Sequence, residues 1–215
     1  VHAKARENIE AQVVSLFTPD VDLHSAKLAV DAMIDKTTEV TLIRHKIQLM
    51  ASDVEGMLGD TAVSSDQKLD ALRNYLFVAG PWNNFEPFRY DMDDPLGTEP
   101  KNRMLRTYLD TRRGNCITMP LLMTIIGREL GLKLSLAQAP LHLFIMYQDD
   151  NGQIFNLEST NGGSVTRDVW YRKKLPMSEK SIAEGVYLRP LSPYEEIAVV
   201  LSSLLDNDLS VGAYE

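Results

Sequence analysis

The stretch TRRGNCITMPLLMTIIGRELG, residues 111–131, decides the reading of this chain. Its apolar run from Ile117 to Ile126 sits between Asn115-Cys116 and Gly131, which predicts a helix from Cys116 to Leu130 that is buried on most faces. Pro120 is tolerated near its first turn, and Gly131 fits the C-terminal cap. The only cysteine of the chain, Cys116, therefore falls at a helix N-terminus. Unpaired N–H groups and about half a positive charge gather there, so a thiolate is favoured and a developing oxyanion finds donors at Cys116 and its neighbours.

Downstream, Lys133 to Ala137 and Leu141 to Tyr147 have strand character. Asp149-Asp150-Asn151-Gly152 then signals a hairpin into Gln153 to Leu157. A three-residue loop with Gly152 in the left-handed region sets Asp149 against Gln153, Glu158 against Phe144 and His142 against Thr160. In that register Glu158 is a same-face diagonal neighbour of His142, at about 7–8 Å between backbone positions, and a slip of one residue turns it away. Cys116, His142 and Glu158 are thus the candidate catalytic residues. The thiolate is the nucleophile, the imidazole moves the proton, and the carboxylate fixes the imidazole tautomer. Asn156 shares the face by period two and competes as a neutral partner of His142.

Upstream the pattern is helical. Lys4 to Phe17 predicts one short helix, Ser25 to Leu58 one long or two shorter helices stopped by Gly56 and Gly59, and Ser65 to Val78 another, with Ser65 as its cap. Gly80 to Pro100 carries four prolines with Trp82, Phe85, Phe88 and Tyr90, and reads as an irregular loop pinned by aromatic side chains. A short helix is expected from Arg103 to Leu109, and a final one from Tyr194 to Leu205 packed on the core. The fold class is α+β, with a helical region at 1–78 and a sheet-containing core at 79–215.

The net charge of −8 argues against a nucleic-acid partner. No apolar run is long enough for membrane insertion, so the chain is expected to be soluble. One cysteine excludes an internal disulfide and a multi-cysteine zinc site. His24 and His45 are expected at the surface, without metal-ligand spacing; no metal or organic cofactor is implied. Arg103, Arg106, Arg112 and Arg113 precede the thiol and read either as solvated loop charges or as a cationic rim. The chain opens on Val1-His2-Ala3, which reads as the trace of a removed upstream segment, either a signal peptide or a trimmed terminus, and leaves a cytoplasmic or exported location open.

Several ordered motifs together resemble the transglutaminase-like superfamily. They are Asn74-Tyr75-Leu76-Phe77, the Tyr90-Asp91 to Pro95 loop, Asn102-x-x-Leu105, Arg112-Arg113-Gly114, Gly131-Leu132, Pro140-Leu141-His142-Leu143-Phe144 and Asn161-Gly162-Gly163. Across residues 22 to 165 they are similar to a bacterial branch in which some members carry tetratricopeptide repeats. The resemblance implies a papain-like core with a central helix on an antiparallel sheet, and acyl transfer or hydrolysis at an amide or isopeptide bond of a protein or peptide substrate. Many members of that branch have proline at the position of Cys116, so a non-catalytic interaction module using the loop from Pro81 to Tyr90 is the alternative. The family acid is usually an aspartate before proline, whereas this chain offers Glu158.

Overall fold

A computed structural model describes residues 2–59 and 62–210. Four helices come first: α1 (His2–Ser15), α2 (Leu23–Ile34), α3 (Val40–Leu58) and α4 (Ser65–Phe77). The segment expected as one or two helices is two, because Asp35 turns its carboxylate onto Thr37 N–H at 2.9 Å and Thr37 Oγ1 at 2.7 Å and so ends α2. Gly56 lies inside α3, and only Gly59 stops it. The cap of α4 is Ser64 rather than Ser65. Ser64 and Gln67 form a reciprocal capping box, while the Ser65 hydroxyl sits 2.5 Å from Tyr147 Oη.

The proline-rich loop contains a two-residue strand, β1 (Arg89–Tyr90), which sequence reading misses because its partner is remote. After α5 (Leu105–Thr111), β2 (Arg113–Gly114) pairs with it in parallel, Tyr90 against Gly114. Phe88 is buried against Tyr108, but Phe85 is 68 % exposed, so the aromatic residues pin only part of this loop. The central helix α6 runs Thr118–Glu129, and every residue from Thr118 to Gly127 is buried. A side chain at Gly127 would run into Leu134, so glycine there sets how closely the helix lies on the sheet.

The sheet is antiparallel in the order β3 (Lys133–Ala139), β4 (His142–Gln148), β5 (Ile154–Glu158) and β6 (Ser164–Thr166). The hairpin register follows the turn: Ile145 faces Leu157, Met146 faces Asn156, and Asp149 N–H donates to Gln153 O at 2.9 Å, with Gly152 at φ +82°. Strand β5 ends at Glu158, and a 3₁₀ turn at Ser159–Asn161 replaces the expected pairing of His142 with Thr160. One face of the sheet, through Leu134, Leu136, Leu143, Ile145 and Leu157, joins α2–α4 and α6 in the main core. The other face buries Phe144 and Met146 under Tyr171 of α7 (Asp168–Lys174). A short helix α8 (Glu179–Ala183) follows, and α9 (Pro193–Ser210) packs against α2. The molecule is α+β, with a central helix on an antiparallel sheet. Among the described residues no helix is long and apolar enough to cross a membrane.

Candidate active site

Asn115 acts as the cap of α6. Its Oδ1 accepts N–H bonds from Ile117 and Thr118, both at 3.0 Å, and the Thr118 hydroxyl accepts from Asn115 N–H at 3.1 Å. Asn115 Nδ2 donates to Asn102 O at 2.8 Å, tying this cap to the segment before α5. Cys116 is thereby fixed in the turn that enters the helix, 3 % exposed, with Sγ 3.8 Å from Leu141 O. The helix-end amides are not free, as sequence reading expects, because Asn115 holds two and Cys116 N–H donates to Pro95 O at 3.2 Å.

His142 opens β4, and its Nε2 lies 2.7 Å from Glu158 Oε2. Glu158 closes β5 and is buried. Its Oε1 accepts from Thr160 N–H (3.2 Å) and Thr160 Oγ1 (2.6 Å), and Tyr171 O–H donates to Oε2 at 3.1 Å. Three donors and the imidazole therefore saturate the carboxylate. Burial works against the imidazolium, yet hydrogen bonds and charge from Cys116 and Glu158 outweigh it and push His142 up to about 9. The same contest in Glu158 ends the other way: burial raises its pKa, and the His142 and Thr160 interactions bring it below the ordinary carboxylate value. Asn156 is occupied elsewhere, donating from Nδ2 to Asp168 at 2.6 Å.

Cys116 and His142 border a cleft of about 650 Å³. Leu96, Ile117, Leu141 and Leu143 line one side, and Ala198, Val199 and Ser202 of α9 the other. Of the four arginines near the thiol only Arg103 reaches the cleft, where it pairs with Asp206. Arg112 bonds Asn83 O and lies 5.4 Å over the Phe88 ring, Arg113 pairs with Asp93 at 2.9 Å, and Arg106 lies 3.7 Å from Asp110. The pairs of Arg106 and Arg113 are solvent-exposed, as solvated loop charges would be, and among the described residues these four arginines do not form an open cationic rim around the thiol. His24 corrects a second expectation: it is 4 % exposed, and burial, with Arg44 nearby, brings its pKa down to about 4.

Sequence reasoning missed Tyr171, Thr160 and the wall supplied by α9. The aromatic pair Trp170-Tyr171 inside a charged stretch was the available signal for the first. It also took Leu141 as the first residue of a strand, whereas β4 begins at His142 and Leu141 sits in the turn before it, 84 % exposed at the cleft mouth with φ +55°. A leucine in the left-handed region is strained. Leu141→Gly is therefore expected to raise stability by up to about 1 kcal/mol in urea unfolding; a loss would show that the leucine side chain stabilises the turn.

A thiol at a helix entry, an imidazole on one strand and a carboxylate on the next thus come together beside one cleft. A family model described as the transglutaminase-like superfamily matches residues 41–199, and the chain belongs to that superfamily. Comparison with curated proteins and with solved structures returned no match.

Proposed function

We propose that this protein is a cysteine-dependent enzyme that hydrolyses, or transfers the acyl group of, an amide or isopeptide bond in a protein or peptide. The observation that carries the reading is the placement of His142, which meets Glu158 through Nε2 and is near enough to Cys116 for that group to help raise its pKa. The Cys116 thiolate attacks the carbonyl, the imidazolium of His142 protonates the leaving amine, and water or an amine resolves the thioester with His142 as base. Glu158 holds the tautomer and stabilises the imidazolium. Hydrolysis is the preferred outcome, because water is always at hand. Among its relatives we assign the chain to the bacterial branch in which some members carry tetratricopeptide repeats, with the core beginning near residue 79.

The test is cleavage of fluorogenic peptide and isopeptide amides by the wild type and Cys116→Ala. Cleavage that survives in Cys116→Ala ends the proposal. A second variant separates orientation from folding. Glu158→Gln keeps the shape and the Thr160 bonds but removes the charge, so the His142 titration, followed by NMR, is expected to fall from about 9 toward its ordinary range. Turnover should drop by about 10- to 100-fold. An unmoved titration would remove Glu158 from the site.

A further inference from the structure

Two hydrogen bonds meet on one atom beside the thiol. Cys116 N–H donates to the carbonyl oxygen of Pro95 at 3.2 Å, and Tyr90 O–H donates to the same oxygen at 3.3 Å. When a thiolate adds to a carbonyl carbon, the new C–S bond holds the developing oxyanion within reach of the nucleophile's own backbone N–H. A carbonyl oxygen already bound to that N–H therefore marks where the oxyanion will sit. The Ile117 and Thr118 amides are not alternatives, since both are held by Asn115.

Tyr90 reaches this place because β1 pairs with β2 just ahead of the thiol, Tyr90 opposite Gly114 and Asp91 N–H on Gly114 O at 2.6 Å. Burial, and then the charges of Cys116 and Glu158, raise the tyrosine pKa, so the group stays an O–H donor at neutral pH. The loop bearing Pro95 is anchored independently. Asp94 accepts from Thr98 N–H and Oγ1, Glu99 N–H and Asn102 Nδ2.

We infer that Tyr90 O–H and Cys116 N–H are the two donors of an oxyanion pocket, and that the Pro95 carbonyl fills it until a substrate carbonyl takes its place. The inference rests on the thiol-enzyme reading above. In the step concerned, the Sγ–C bond forms and the C=O π pair moves onto oxygen, where the two donors receive it. On collapse the C=O bond re-forms, the leaving group departs with its electron pair, and an amine leaving group takes its proton from His142. With Asp94 anchoring the loop, displacement falls to the Pro95–Leu96 peptide, next to Gly97 at φ +62°.

Two reagents separate the oxyanion from the thiol. Iodoacetamide alkylates Cys116 at a saturated carbon and forms no oxyanion, whereas p-nitrophenyl acetate acylates it through one. Tyr90→Phe is expected to slow acylation by about 10²-fold and to leave alkylation unchanged, which also certifies the fold. Unchanged acylation, or an equal fall in both rates, overturns the inference. A wild-type thiol whose alkylation ignores His142→Ala overturns the thiol reading itself, and this inference with it; that outcome is read without the tyrosine variant.

Discussion

His142→Ala is expected to slow alkylation of Cys116 by about 10²-fold or more near neutral pH. The physical ground is the imidazolium, which Cys116 and Glu158 hold protonated up to about pH 9. The same shift makes a stability prediction. A histidine whose pKa rises from 6.5 unfolded to about 9 folded stabilises the native state fully below pH 6.5, and that contribution is lost as pH climbs through about 9. Urea unfolding should therefore show the wild type losing stability across this window, a slope missing from His142→Ala. Equal alkylation by both proteins, with parallel stability profiles, would reduce Cys116 to a buried core residue.

The largest loss of stability is expected far from the thiol, at Lys27. Its side chain is fully buried on α2, paired with Asp31 one turn later and donating to Arg103 O at 2.7 Å. Asp31 Oδ2 accepts the Leu105 N–H at 2.9 Å, at the start of α5. Burial raises the Asp31 pKa against the pull of Lys27. Lys27→Ala leaves that carboxylate buried without its counter-charge and should cost about 3–5 kcal/mol. Removing both charges in Lys27→Met with Asp31→Leu should cost less, about 1–3 kcal/mol, because only the bonds to Arg103 O and Leu105 N–H remain unmade. Urea unfolding of the two proteins checks the order. A double variant as unstable as Lys27→Ala would show that the penalty comes from lost packing rather than from a stranded charge.

The parts of the fold legible in the sequence are those specified locally. The apolar run after Cys116 announced α6, and Asp149 to Gly152 set a hairpin whose register brings Glu158 to the end of β5, opposite the start of β4. What stayed hidden depends on partners distant in the chain. Lys27 and Asp31 look like an ordinary solvated pair on a helix until α5 covers them. His24 has nothing in its neighbours to announce burial. Tyr171 meets Glu158 only because α7 folds back over the sheet, and the donors on Pro95 converge only through the two-residue pairing of β1 with β2. Expecting free amides at the helix entry failed for the same reason: a helix end exposes donors only where no loop is packed against it.

The cleft takes its far wall from α9, and Arg103 clasps Asp206 across it. The cleft is thus built from residues separated by about half of the chain, and no short fragment contains it. During synthesis the thiol, the imidazole and the carboxylate leave the ribosome well before Asp206 does. The cleft beside Cys116 and His142 therefore closes only once the segment carrying Asp206 has been made and has packed onto Arg103.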